Sequence, residues 1–373
     1  MIVVIGAGLI GLAIAYELAT RGANVRVIDA REPARAASWA GAGMLAPHTE
    51  TIESPAFEAL CVRSLEAYPA FVCGVHERGG VDARLRLRGI LEAAFTESDA
   101  RRLRAHVAGL TARGVSARWL DRAAALALEP ALGPHALGAA LSEAEGCVDN
   151  RRLGRALRAA CAALDVHVDE FAGDVAVEAD ARRVLGVRVP AGFVPATHVI
   201  NAAGAWAGEV AGVPPVARVS VVPIKGQMLA LAMTTAFVSR TVWVPGAYLV
   251  PRDDGRLLIG ATVEDAGFDV RVTAGGIRSL LDAALAAMPA LAELAVAETW
   301  AGLRPGSPDG LPYLGETEIA GYFVAAGHGR NGILLTPVTA AVVADAVEGK
   351  AAADLAPFSP RRASLAAGTN ARE

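Results

Sequence analysis

The first apolar run, Ile2–Ile5, is uncharged and rich in β-branched residues, which predicts a strand buried on both faces. Positions 12–21 carry apolar residues at helical spacing, and 25–28 is a second apolar run that ends on Asp29. Between strand and helix stands Gly6-Ala7-Gly8-Leu9-Ile10-Gly11, and Asp29 lies 18 residues after its last glycine. This predicts a βαβ unit with a Gly-x-Gly-x-x-Gly turn. Gly6 permits the tight turn, Gly8 lets the backbone approach a pyrophosphate, and Gly11 lets helix and strand pack closely. The helix start offers free N–H groups and the positive end of its dipole to phosphates. Asp29 is placed to accept hydrogen bonds from a ribose. The concurrence of all these parts points to a dinucleotide rather than a bare glycine-rich turn, and leaves NAD and FAD both open.

Farther along, 38–47 is a run of small residues around Ser38, Gly43 and Met44. Such a run lets a backbone approach something flat or phosphorylated, or is a plain linker. Residues 55–75 read as a helix with Pro69 as a kink or break, 85–95 as a strand, 98–113 as an amphipathic helix with a solvated basic face, and 119–132 as a helical segment stopped at Glu129-Pro130. A short strand over 138–142 follows, then a helix over 151–164 capped by Asp149. The runs 166–168, 174–177 and 184–189 predict strands, and 198–206 a strand that ends on small residues beside Gly204, where a second backbone approaches the nucleotide. Strands over 219–232, 242–251 and 256–261 follow, the last pair linked by the hairpin signal Asp253-Asp254-Gly255. A helix over 273–288 stops at Pro289, and a strand over 298–303 is broken by Arg304-Pro305-Gly306. The strand 322–326 runs into Gly327-His328-Gly329-Arg330-Asn331-Gly332, and Thr336-Pro337 reads as N-cap and first residue of the last helix. From about Pro360 the composition predicts disorder. The pattern as a whole predicts a parallel nucleotide sheet assembled from three separated segments, interrupted by antiparallel strands of a second, mixed sheet.

Composition narrows the class. The chain has 373 residues, 53% of them hydrophobic, and a net charge of -4, with mean hydropathy +0.38 and pI near 6.0. That balance provides no footprint for nucleic acid. The uncharged stretch 2–16 lacks a basic leader and its glycines serve the turn, so it is not read as a signal peptide. The uncharged stretch 331–344 is too short to span a bilayer. Cys61, Cys73, Cys147 and Cys161 form no CxxC pair and read as thiols in a reducing cytoplasm.

The motifs IGAGLIGLAIAYEL, ASWAGAGML, VINAAGAWA, PIKGQM, YLVPR, LLIGAT, WAGLRPGSPDGLPYLG and AAGHGRNGILL together resemble the D-amino acid oxidase family of flavoproteins, and within it the glycine oxidases associated with thiamin biosynthesis. The resemblance runs from Met1 to about Arg361. It implies an α/β enzyme with an α+β second domain: a Rossmann-like FAD-binding domain built from the discontinuous segments 1–80, 146–215 and 303–373, and a mixed, largely antiparallel sheet for substrate from 81–145 and 216–302. It further implies that a small amino acid is oxidised at its Cα–N bond, that the imine hydrolyses or feeds thiazole assembly, that O2 becomes hydrogen peroxide, and that the enzyme is a homo-oligomer. Non-covalent FAD would touch Gly6, Gly8, Ile10, Gly11, Asp29 and Ala30. It would also touch Ser38, Gly43, Met44, Val175 and Gly204, and the turn of Arg330, Asn331, Gly332, Ile333 and Leu334.

Amine oxidation by a flavin is mainly a positioning problem, so a carboxylate anchor is the strongest demand on the side chains. Arg304 is the candidate for a bidentate fork, or else an ion-pair partner of Asp309. Tyr248 either places its hydroxyl on the same carboxylate or packs as an ordinary strand residue. Arg330 is set beside substrate or flavin. His328 invites a general-base role, although a Gly-His-Gly turn favours a structural one, and Lys225 is left without a role. Competing readings are a D-amino-acid dehydrogenase that reduces quinone, a sarcosine-type oxidase, and a non-catalytic dinucleotide module. Sarcosine-type enzymes commonly hold flavin through a cysteine in the C-terminal half, and no cysteine follows Cys161. A non-catalytic module would leave Arg304 and Tyr248 without purpose.

Overall fold

The computed structural model describes residues 1–50, 52, 54–233, 238–350 and 353–362. The expected disorder from Pro360 falls almost wholly on 363–373, outside the described residues. Two large sheets organise the chain. The six-stranded sheet takes Ile2–Ile5, Val25–Ile28, His167–Asp169, His198–Asn201, Tyr313–Glu316 and Tyr322–Ala326. Its pairings are parallel except at the edge, where Tyr313–Glu316 runs antiparallel to Tyr322–Ala326. The central strand Ile2–Ile5 is buried along its whole length, as a strand covered on both faces must be. One face is covered by the helices Leu9–Thr20, Pro55–Gly79, Asn150–Ala163 and Thr336–Val347, which share a single apolar core with it. The other face meets a three-stranded antiparallel meander, Ala176–Ala179, Val184–Val189 and Gly192–Pro195.

The eight-stranded sheet runs in the order Val296–Gly306, Val222–Ala232, Arg256–Gly260, Ala247–Pro251, Thr241–Val244, Ile90–Ala94, Gly138–Ser142 and Ala117–Asp121. All its pairings are antiparallel but one, between Thr241–Val244 and Ile90–Ala94. A separate core beneath it is packed by the helix Ala274–Ala287.

Several expected elements change form. The apolar stretch 242–251 is two strands folded back at Pro245-Gly246, with Gly246 at φ +83, and Trp243 faces Tyr248 across the hairpin. The strand expected to break at Arg304 runs on through Gly306, because Pro305 stands opposite Pro223 in the pairing and no N–H is missed there. Trp119 and Leu120 belong to the edge strand Ala117–Asp121, and the helix begins only at Arg122, capped by Asp121. Pro69 lies inside the continuous helix Pro55–Gly79. Thr336 is the first residue of the last helix rather than its cap, and its hydroxyl donates to the Gly332 carbonyl.

Candidate active site

The nucleotide turn is built as its glycines require. A Cβ on Gly11 would collide with the Gly6 carbonyl oxygen, and one on Gly6, at φ +102, would lie 2.5 Å from the Ala202 oxygen. The first strand, the helix start and the Ala202 backbone therefore meet at a spacing that only glycine permits. Ser38 accepts from the Leu9 N–H at 2.9 Å, which ties the small-residue segment to the helix start. Asp29 accepts from Ala7 N–H at 2.6 Å and from Arg31 N–H at 2.9 Å. Burial pushes the Asp29 carboxyl up and these two amide bonds oppose it. Each oxygen keeps acceptor capacity for a ribose hydroxyl. Ala30 is exposed beside it, and Val175 is half-buried at the entry to the strand Ala176–Ala179.

Gly43, at φ +68, leads into Met44–Leu45, and a Cβ there would strike the Val148 carbonyl. Gly204, at φ +58, opens the short 3-10 turn Gly204–Trp206 after the strand His198–Asn201. Arg330, Asn331, Gly332, Ile333 and Leu334 form the turn into the last helix. Here the helix Pro55–Gly79 holds the carbonyls: Tyr68 donates to Ile333 O at 2.6 Å and Ser64 to Leu334 O at 2.6 Å. Among the described residues the Ile333 and Leu334 N–H groups donate to no protein acceptor. A glycine cradle, an acid at the ribose position and two uncommitted amides at the far end fit an extended dinucleotide.

Arg304 and Tyr248 lie on neighbouring parts of the eight-stranded sheet and meet over it. Arg304 stands opposite Ile224, and its Nη1 donates to Thr262 O at 3.1 Å and Lys225 O at 3.4 Å. Among the described residues it makes no ion pair, since Asp309 pairs instead with Arg362 at 2.8 Å. The guanidinium crosses Gly226, where a Cβ would lie 2.5 Å from Nη1 and 2.7 Å from Cζ. The Tyr248 ring rests on Gly260, whose Cβ would meet the ring at 2.8 Å. Burial pushes the Tyr248 phenol up, opposed by the charge of Arg304. The phenol is therefore a donor at neutral pH, next to a half-buried cation that makes no ion pair among the described residues.

Arg330 is placed differently. Its Nε contacts the Glu50 carboxylate, which is only 7% exposed. Burial pushes the Glu50 carboxyl up, while Arg330 and then Arg304 pull it down. Lys225 is buried with its Nζ 3.4 Å from Glu264. His328 is buried and hydrogen-bonded to Thr339 at 3.1 Å, and burial pushes its pKa down to about 3. It stays neutral inside the protein and is bound to structure rather than aimed at a substrate. Glu50 was invisible in the sequence, since the polar residues before Pro55 have no periodicity. Gly226, a glycine inside a strand, did have a signal, because such positions mark close approach.

A nucleotide cradle on one sheet and a cation beside a phenol on the other fit a dinucleotide-dependent oxidoreductase. Residues 1–346 match the family described as FAD dependent oxidoreductase (DAO), and the chain belongs to it. It is 38% identical over 365 residues to the glycine oxidase of Geobacillus kaustophilus, covering 97% of this chain and 96% of that one. The crystal structure of glycine oxidase from that organism superposes with a TM-score of 0.90 at 37% identity, covering 96% and 97% of the two chains. The bifunctional protein ThiO/ThiG of Trichormus variabilis is 37% identical over 349 residues, covering 92% of this chain, which spans only 52% of that protein's length. The structure of iminodiacetate oxidase from Chelativorans sp. BNC1 has a TM-score of 0.86 at 29% identity, with 96% and 99% covered. The α/β fold, the oxidoreductase class and the FAD cofactor expected from the motifs are thus borne out. Among the described residues, no helix is long and apolar enough to cross a membrane.

Proposed function

We propose that this chain oxidises glycine, or a similarly small amino acid, at the Cα–N bond. The observation that carries the reading is Arg304: a half-buried guanidinium that pairs with no carboxylate among the described residues, beside the Tyr248 phenol, in a family whose cofactor is FAD. Two carbonyls take one arm of the fork, and the rest of the guanidinium is left to a substrate carboxylate. Tyr248 donates a second bond to the same group, so the substrate is held by its acid end and its Cα–H direction is fixed. Bound FAD would supply the two-electron oxidant for the Cα–N bond, with O2 as final acceptor and hydrogen peroxide as its product. Neither His328, buried on Thr339, nor Tyr248, whose phenol burial pushes up, is poised as a base. The substrate amine must therefore arrive neutral. The imine then hydrolyses to an oxo acid and ammonia, or leaves for thiazole formation in thiamin biosynthesis.

The proposal includes two domains, divided as the motifs imply, which the separate cores of the two large sheets support. The proposed change at 303 falls within the strand Val296–Gly306, so that strand would serve both domains. It also includes a homo-oligomeric, cytoplasmic enzyme with non-covalent FAD. In keeping with the last two points, the four cysteines are free thiols and none follows Cys161.

Purified protein should be yellow and release its FAD on acid precipitation. With glycine and air it should form peroxide and ammonia in equal amounts. Flavin retained in the pellet would refute non-covalent binding. Absence of peroxide with glycine, sarcosine and small D-amino acids would refute the oxidase, and quinone reduction in its place would favour the dehydrogenase reading.

A further inference from the structure

Arg304 is not the only charge near the substrate carboxylate. The strand Val296–Gly306 packs against the turn that carries Arg330. Arg330 in turn holds Glu50, at the end of the turn closed by Glu50 N–H to Ala46 O. Glu50 lies close enough to act electrostatically on the Tyr248 hydroxyl, and Arg304 acts on Glu50. These three charged side chains comprise two guanidinium groups and one carboxylate, a net single positive charge. One substrate carboxylate balances it. A second would have to settle beside a carboxylate that is already buried, and like charges forced together out of water repel strongly.

The fold does not itself impose this choice. A neighbour with TM-score 0.86 is named iminodiacetate oxidase, and the compound in that name carries two carboxylates. Discrimination between one acid group and two must therefore reside in side chains.

We propose that Glu50 is a specificity-determining residue that restricts this pocket to amines bearing a single carboxylate. The Arg330 guanidinium in contact with it draws the Glu50 carboxyl down against the upward push of burial, and the ion pair brings a carboxylate into the site. This role is distinct from anchoring, which belongs to Arg304 and Tyr248. It rests on the amine-oxidase reading given above.

The test compares FAD-loaded wild type, Glu50→Gln and Glu50→Asp. Peroxide formation is followed with glycine and with iminodiacetate, and binding of the unreactive acids acetate and oxydiacetate is followed by the change in flavin absorbance. Wild type should favour glycine and bind oxydiacetate more weakly than acetate. Glu50→Gln keeps the shape and removes the charge, so the iminodiacetate-to-glycine ratio of kcat/KM should rise by about tenfold or more. Glu50→Asp should move back toward wild type. A merely structural Glu50 would lower both substrates together and leave the ratio unmoved, which would overturn the proposal. Wild type that binds oxydiacetate as tightly as acetate would overturn it too, and that measurement decides even if Glu50→Gln loses its FAD. Failure of wild type to oxidise any monocarboxylate amine would instead overturn the functional reading.

Discussion

Arg304 donates to two carbonyls and pairs with no carboxylate among the described residues, a costly state for a half-buried cation unless a ligand completes it. One charge-assisted hydrogen bond is worth about 1.5–3 kcal/mol. Arg304→Leu should therefore cost about two or more decades in kcat/KM for glycine. Arg304→Lys, which keeps charge but loses the fork, should fall between Leu and wild type. Because Asp309 is paired with Arg362, Asp309→Asn should leave glycine kinetics near wild type. Gly226→Ala offers a more delicate version. Its Cβ would sit 2.5 Å from Nη1, and the flexible arginine must yield. The variant should melt near wild type, keep FAD, and lose about tenfold or more in kcat/KM, since small misplacements of a positioning group are expensive. Steady-state kinetics on FAD-loaded variants of matched melting temperature would check all four, and near-normal glycine turnover by Arg304→Leu would remove it from the site. At this scale the sequence was most legible where a residue type has one purpose. Gly6 and Gly11 could be read directly, and Arg304 could be nominated. Glu50 could not be nominated, because a buried ion pair is a property of two distant segments and neither alone marks it.

At the scale of elements, apolar periodicity located most of the longer strands, missed short ones such as Gly192–Pro195 and Tyr313–Glu316, and did not show where a strand stops. In 119–132 the apolar residues of an edge strand and of the following helix run together, and only the Asp121 cap separates them. In 242–251 the hairpin is concealed because its turn, Pro245-Gly246, lies between apolar residues on both sides. The opposite error befell the strand Val296–Gly306, where Pro305 reads as a breaker until its partner proves to be Pro223. The last helix, Thr336–Val347, makes a prediction of its own through His328, which spans from the preceding turn to Thr339. Burial depresses its pKa from an ordinary value near 6.5 to about 3 in the folded protein. Between those values the unfolded chain binds the extra proton. Stability from this group is thus complete above about pH 6.5 and is lost as pH falls toward 3. His48, whose pKa burial also lowers, contributes with the same sign. The fall in melting temperature from about pH 7.5 to about pH 5.5 should be shallower in His328→Asn than in wild type. Equal slopes would show that His328 is already open to protonation.

At the scale of the whole molecule, the proposed site requires the eight-stranded sheet to be locked to the glycine-rich loop around Ser38 and Gly43. Trp300 reaches across by donating its indole N–H to Ala40 O at 2.9 Å, and Gly302 leaves room for the Ala40 methyl. Arg151 spans the same seam, stacked over Trp39 at 3.7 Å and paired with Glu298 at 3.0 Å. The strongest tie is Arg252, at the end of the hairpin strand Ala247–Pro251 and only 7% exposed. It donates to Ala42 O at 2.8 Å, Asn150 Oδ1 at 2.9 Å and Val148 O at 3.3 Å. Asn150 in turn donates to Ser38 O at 2.7 Å, so one guanidinium organises the loop that bears both Ser38 and Gly43. Arg252→Leu would leave Ala42 O, Val148 O and Asn150 Oδ1 without this donor, at about 1–3 kcal/mol for each that stays dry. In the proposed reading the loop positions FAD, while Arg252 itself lies at the end of a strand of the eight-stranded sheet. The expected outcome is therefore weaker FAD binding by about tenfold or more and a lower melting temperature, with glycine turnover largely restored by excess FAD. Titration of apoprotein with FAD, followed by kinetics at saturation, measures both. An unchanged FAD affinity would show that the two sheets are held in register by Trp300 and Arg151 without it. A loss of turnover that saturating FAD cannot repair would instead place the damage at the Arg304 and Tyr248 anchor, on the same sheet.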